Sequence, residues 1–326
     1  MTNLASGGEC RVPGLCIRRN GATERQGSPA LPHRRICANN SGFSQILKAP
    51  DPVTPTFRTA TLADLRLALD WAAAEGWNPG HDDAPAFHAA DDRGFFVAEV
   101  GGAPVAFISV VNHAPDFAFL GLYICRPDHR GRGIGRALWD HALAHAGPRT
   151  VGLDGVAAQQ AAYASAGFAR AGASRRFAGR LDAAADPGIR AVTPGDLPAL
   201  ARLDRAACGY ARPAFLAAWL TATGARTSVM LDDGSGFATI RRCREGCKIG
   251  PIVARDTDTA LRLARAAAQL WPDDALFIDA APGNAALASA LQALDFKETF
   301  ATARMYRGPA PSAGGTLQAI ASMELG

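Results

Sequence analysis

The chemistry in this sequence concentrates in Arg130-x-x-Gly133-x-Gly135, set within Cys125–Leu138 with a further glycine at Gly131. Glycines at alternate positions let successive backbone N–H groups converge on an anion. The helix opening at Ile134 adds its unpaired N-terminal donors and positive dipole end. Arg130, Arg132 and Arg136 supply cationic charge, and the whole reads as a pyrophosphate cradle. A Walker A loop would end in Gly-Lys-Ser/Thr, which is absent here. A dinucleotide turn GxGxxG started at Gly131 needs glycine where Arg136 stands, although Asp154 lies about 20 residues on, as a ribose ligand does. Outside the turn, the reactive candidates are the phenol of Tyr163, the carboxylates of Glu75, Asp83 and Asp154, and the thiol of Cys125.

These groups need elements to hold them. Phe117 to Cys125 reads as an apolar strand, turned at Pro127 into a helix over 134–146, then a strand over 150–154 and a helix carrying Tyr163. Before it, Gly94 to Val100 and Pro104 to Val111 form a hairpin over Gly101-Gly102. Several antiparallel strands therefore precede the glycine turn, whereas a dinucleotide fold places its turn after the first strand.

The chain also repeats itself. Phe57-Arg58-Thr59-Ala60-Thr61-Leu62-Ala63-Asp64-Leu65 returns as Ile189-Arg190-Ala191-Val192-Thr193-Pro194-Gly195-Asp196-Leu197, each a short strand and a Thr-capped helix. Ala162–Phe168 closes the first copy, and Ala290–Phe296 comes late in the second, with Leu291 where the first has Tyr163. The reading is two copies of one α/β unit, over residues 56–182 and 183–308, with the boundary in the Asp182–Gly188 stretch and a tail over 309–326. Residues 1–55 lack periodicity and read as a disordered extension.

At 326 residues and 48% hydrophobic, the chain can bury two cores. Seven of its Lys/Arg lie in residues 1–50 against Glu9 and Glu24, so the net +4 becomes −1 over the remainder, which argues against nucleic acid as a partner. No apolar run approaches the roughly 20 residues that span a bilayer, and no apolar signal core opens the chain. A cytoplasmic protein without a membrane partner is expected. Seven cysteines are odd in number and read as reduced thiols; Cys243 and Cys247 have no second Cys/His pair nearby, so no metal is expected. Three lysines against 31 arginines read as codon bias of a GC-rich bacterial genome.

The glycine pattern, with its preceding strand, Pro127 corner and following helix, resembles the coenzyme A signature of the GNAT (Gcn5-related) N-acetyltransferases. The Trp77-Asn78-Pro79 cluster, Gly152–Val156, Gly236–Ala254 and Arg304–Gly308 further resemble a tandem-domain, YitH-like bacterial subfamily with a C-terminal acetyltransferase-like domain. The resemblance implies an α/β fold of mixed sheets flanked by helices, in two tandem GNAT-like domains. It implies acetyl-CoA as co-substrate, its pantetheine along Tyr123-Ile124-Cys125 and its pyrophosphate over Gly131 to Arg136, with Arg130 and Ile134 in the same cradle. A backbone N–H near Ile124 would face the thioester oxygen. Tyr163 falls where the family pattern Tyr-x-x-x-Gly-Phe sets a phenol beside the coenzyme A sulfur, as acid for the leaving thiolate. Cys125 is read as packed, because direct attack by an amine requires no covalent enzyme intermediate.

The acceptor implied is a small amine or amino acid. A lysine-like amine is mostly protonated at pH 7, so a base must be found. Some family members place a glutamate twelve residues before the tyrosine, where this chain has Val151. Glu75, Asp83 and Asp154 remain as base candidates, and Trp77, Asn78 and Asp83 as acceptor-side residues; Asp204, Tyr210 and Arg212 are able to reach across from the second unit. That unit lacks Arg-x-x-Gly-x-Gly and is expected to hold no pyrophosphate in the same way. A coenzyme A-binding regulatory module without turnover is the competing expectation.

Overall fold

The structure, a computed structural model, describes residues 54–272 and 274–326. The disorder expected of residues 1–55 thus falls, as far as residue 53, outside the described residues. The first unit runs β1 (Thr56–Thr59), α1 (Leu62–Ala74), α2 (Asp83–Ala90), β2 (Phe95–Val100), β3 (Ala103–Asn112), β4 (Phe117–Cys125), α3 (Ile134–Leu143), β5 (Thr150–Gly155), α4 (Gln160–Ser165) and β6 (Ala169–Gly179). The second repeats that order as β7 (Ile189–Ala191), α5 (Leu197–Cys208), α6 (Pro213–Leu220), β8 (Arg226–Leu231), β9 (Phe237–Arg242), β10 (Cys247–Val253), α7 (Thr257–Ala268), β11 (Leu276–Ala280), α8 (Ala285–Ala293) and β12 (Lys297–Arg307). A final strand, β13 (Leu317–Ala319), has no counterpart in the first unit.

The repeat seen in sequence is a repeat of contacts. Thr61 and Asp64 exchange side-chain and backbone hydrogen bonds at the head of α1, and Thr193 and Asp196 do the same before α5. Arg58 then pairs with Asp64, and Arg190 with Asp196, both at 2.7 Å. Gly101 and Gly102 turn the β2–β3 hairpin at φ of 60° and 78°, where a Cβ would be strained.

All thirteen strands join in one sheet, in the order β1-β2-β3-β4-β5-β12-β6-β11-β13-β10-β9-β8-β7. The two units exchange their closing strands: β12 of the second lies antiparallel on β5, and β6 of the first lies antiparallel on β11. The β6–β12 pairing between them carries the sheet across the middle. Each unit has one parallel pair at its heart, β4 with β5 through Phe117–Leu120 and β10 with β11 through Cys247–Ile249. Beyond Leu120 and Ile249 those strands part, leaving two splays, one per unit.

Apolar clusters cover both units. Ile134, Leu138, Trp139 and Ala142 of α3 pack with Ala106, Ile108, Leu120, Val151 and Phe168, while Ala260, Leu263, Ala264 and Ala267 of α7 pack with Ile240, Ile249, Ile278 and Phe296. Residues 309–326, read from sequence as a tail, are built into this fold. β13 fills the second splay, antiparallel to both β10 and β11, and Ile320 to Leu325 continue buried across the sheet toward the first.

Candidate active site

The first splay carries the cradle. Gly131 and Gly133 take the left-handed region at φ of 74° and 79°, which glycine adopts without penalty. Gly133 is the N-cap of α3 and offers no side-chain hydrogen bond to it, so the first-turn N–H groups remain unspent donors. Together with Tyr123, Ile124, Cys125, Arg130, Ile134, Gly135 and Arg136 these glycines line a cleft of about 530 Å³. Arg132 is exposed and outside it, and His129, which sequence reading passed over, is inside. The Arg136 side chain turns to Asp140 at 2.9 Å, and Arg130 lies between the Cys125 carbonyl at 2.8 Å and Glu75 at 2.5 Å. Leu122 sits at φ 45° in a bulge where Gly121 to Ile124 face only Phe107 to Ser109, a break that interrupts β4 pairing beside the cleft.

A second cavity, of about 410 Å³, opens from the first and shares Glu75, Trp77, Tyr123, Val156 and Gln159 with it. Tyr163 stands on its wall with its ring stacked on Trp139 at 5.5 Å, in space left by Gly155, where a Cβ would come within 2.8 Å of the ring. Burial pushes the Tyr163 phenol up to about 12, so it keeps its proton through the physiological range. Burial also raises Tyr123 and the Cys125 thiol, which therefore stays protonated and poorly nucleophilic. Asn78, at φ 55°, clamps the backbone of Glu245 from both ends, donating to its carbonyl and accepting from its N–H at 2.9 Å. The Trp77 carbonyl accepts from Arg176 and Lys248, each at 3.1 Å, so the loop after α1 is fastened to the second unit.

The carboxylate candidates fare differently. Glu75 lines both cavities but is tied to Arg130. Asp154 is on the wall, yet its side chain is fully buried and both oxygens are taken by Arg304 at 3.1 and 2.7 Å, with Ser174 donating at 2.9 Å. That geometry suits an anchor between β5 and β12 better than a base. Asp83 is not brought to the cavity: the start of α2 carries it inward, where it accepts from Gly80 N–H at 2.7 Å and faces Arg241 at 3.1 Å. A carboxylate beside a buried guanidinium is held there by charge, which removes it from the acceptor side. Asp204 and Arg212 form a buried pair at 2.8 Å, and Arg212 and Tyr210 line a different cavity, in the second unit.

This cavity of the second unit, near the β10–β11 splay, shows what the first splay retains. Asp256 caps α7, accepting from Thr259 N–H at 2.8 Å, so a fixed carboxylate occupies the helix end that in the first unit has no side-chain cap. Leu291, fully buried, replaces the phenol. Gly121 and Gly250 each follow the last parallel-paired residue of their strand, and both are crossed by the C-terminal segment, at the carbonyls of Glu324 and Ile320.

Sequence reading missed what the second unit and the C-terminal segment bring to the first splay. Phe277, Phe300, Met323 and Glu324 all line the cavity of about 410 Å³, and Arg176, also on its wall, pairs with Asp279 at 2.6 and 2.7 Å. The nearly uncharged run Leu317–Leu325 was the available signal of burial. Among the described residues no group of three or more His, Cys, Asp or Glu side chains is placed to hold a metal ion, and no helix is long and apolar enough to cross a membrane.

Residues 62–172 match the Acetyltransferase (GNAT) family and residues 200–317 the Acetyltransferase (GNAT) domain. A curated relative, a holothin acyltransferase from Pseudoalteromonas sp. (strain SANK 73390), is 33% identical over 84% of this chain and 95% of its own length. Among solved structures, a putative acetyltransferase from Pyrococcus horikoshii matches 83% of this chain and 96% of its own with a TM-score of 0.70 at 20% identity. A tandem GNAT protein from the clavulanic acid biosynthesis pathway matches 78% of this chain and 99% of its own, with a TM-score of 0.52 at 18% identity. An open glycine cradle, a phenol beside it and these sequence matches agree: the chain belongs to the GNAT acetyltransferase family, with two domains of that family in one polypeptide.

Proposed function

We propose that this protein is an acyl-CoA-dependent N-acyltransferase that works at its first unit, taking the acyl group from a CoA thioester such as acetyl-CoA to a small-molecule amine. The observation that carries the reading is the difference between the two splays: one opens from an uncapped helix end into a cavity holding Tyr163, and the other is filled by β13 and capped by Asp256. The similarity to an acyltransferase supports acyl transfer as the chemistry. The CoA pyrophosphate lies over Gly131 to Arg136, and the thioester reaches toward the bulge at Leu122. The amine attacks the thioester carbon directly, the C–S bond breaks, and Tyr163 protonates the departing sulfur. A protein that takes the CoA thioester as a regulatory ligand would bind it without releasing thiol.

Release of free thiol from acetyl-CoA, followed continuously in the presence of a panel of primary amines, tests this. Amine-dependent release is expected. Saturable binding of acetyl-CoA with no release across the panel would favour the regulatory module.

A further inference from the structure

One carboxylate on the wall of the cavity that holds Tyr163 makes no direct hydrogen bond or ion pair among the described residues, although the charges of Arg176, Arg241 and Lys248 reach it. Glu324 is 7% exposed and lines the cavity, and among the described residues its carboxylate has no hydrogen-bond or ion-pair partner. The cations near it are engaged elsewhere: Arg176 with Asp279, Lys248 with the Trp77 carbonyl, and Arg241 with Asp83 and the Ala321 carbonyl. Burial lowers the Lys248 amine, the neighbouring Arg176 charge adds to that, and Glu324 is among the groups opposing it. A carboxylate open to a cavity with no donor from the protein is best matched by a ligand that brings one. Trp77, Leu120, Phe277, Phe300 and Met323 give the wall an apolar, aromatic part, and the charged Glu75, Asp154 and Arg176 on the same wall are already paired. Such a site is complementary to a molecule with an apolar body and one cationic group.

Building on the acyltransferase reading, we infer that Glu324 is the acceptor-binding base: it holds an apolar primary amine as its ammonium ion and takes the proton that frees the nitrogen lone pair. The balance of the step is complete with the groups present. The ammonium gives one proton to the Glu324 carboxylate, and nitrogen forms the C–N bond to the thioester carbon. The C–S electron pair leaves on sulfur, which takes the Tyr163 proton, and the second nitrogen proton restores the phenol. Amide and CoA thiol depart, and the Glu324 proton passes to solvent. Glu75 and Asp154, already paired, are not needed as bases, and the departure at Val151 is compensated from a segment distant in sequence.

The test uses the full chain with acetyl-CoA as donor and phenethylamine or aniline as acceptor, comparing wild type with Glu324→Gln, which preserves size and fills the same space. Acetyl-CoA affinity is expected within threefold of wild type. Turnover with phenethylamine, an ammonium at neutral pH, is expected to fall about 10²- to 10⁴-fold, the span of a lost general base. With aniline, neutral at that pH, the loss is expected to be at least tenfold smaller. Equal turnover of the two proteins with phenethylamine, or equal losses on both amines, overturns the inference while the acyltransferase reading stands. Wild-type protein that binds acetyl-CoA but acylates aniline and not phenethylamine overturns the acceptor class. Failure to bind acetyl-CoA at all is instead a failure of the functional reading beneath it.

Discussion

Gly121→Ala places a methyl group where the C-terminal segment crosses β4. The new Cβ overlaps the carbonyl oxygen of Glu324 and comes within 2.8 Å of its carbonyl carbon. Ordinary carbon–carbon contact lies at about 3.5–4.0 Å, so the segment must retreat by about 1 Å. Two consequences follow. Overpacking of this kind destabilises by about 1–3 kcal/mol, which a denaturant titration reads as a lower midpoint at unchanged slope. A displacement of about 1 Å in a group that orders the reacting atoms costs on the order of 10²-fold in rate. The cradle is built from Gly131, Gly133 and the head of α3, none of which touches this methyl, so acetyl-CoA affinity is expected to hold. The assay is thiol release under saturating acetyl-CoA at a temperature where the variant is folded, together with its binding isotherm. Wild-type turnover from a folded Gly121→Ala protein would refute the claim that residues 323 and 324 shape the acceptor cavity.

Tyr163→Phe keeps the ring against Trp139 and removes only the hydroxyl, so turnover is expected to drop about 10²- to 10⁴-fold with acetyl-CoA affinity retained; unchanged turnover removes the acid role. Because burial holds this phenol at about 12 and not near 10, its acid form persists as pH rises, and wild-type turnover should show no falling limb from this group between about pH 8 and 10.5. A decline centred on pH 10 would contradict that environment. Asp154→Asn leaves Arg304 buried without its counter-charge, a loss of about 3–5 kcal/mol in unfolding free energy, while turnover per folded molecule stays within tenfold of wild type. Abolished turnover with unchanged stability would instead make Asp154 the base.

Much of the fold was legible because local signals agreed with tertiary structure. Thr61 and Thr193 announce helix starts through a box completed within three residues, and Gly101-Gly102 announces a hairpin through conformations only glycine takes readily. The glycine turn was legible for the same reason: the left-handed Gly131 and Gly133 and the start of α3 at Ile134 are set by consecutive residues. The adjoining cavity was not, because its wall comes from stretches of chain far apart in sequence. Trp77 and Tyr163 were visible as unusual residues, but Phe277, Phe300 and Glu324 reach the cavity only through the exchange of β6 and β12 and the crossing of the C-terminal segment over Gly121. Nothing local to Asp83 distinguishes a carboxylate aimed at a substrate from one aimed at Arg241. Nothing local to Asp154 reveals that Arg304, 150 positions away, will occupy both its oxygens.

Calorimetric titration of acetyl-CoA into the full chain, repeated with Gly133→Val, examines the division of labour between the two units. One site per chain is expected for wild type, since only the first splay joins an uncapped helix end to an open cavity. Binding should be lost in the variant, because valine at φ 79° carries about 1–3 kcal/mol of backbone strain and disorders the turn. Two sites in wild type, or full affinity in Gly133→Val, would contradict the assignment of the cradle to Gly131–Arg136 and of β13 as the occupant of its counterpart.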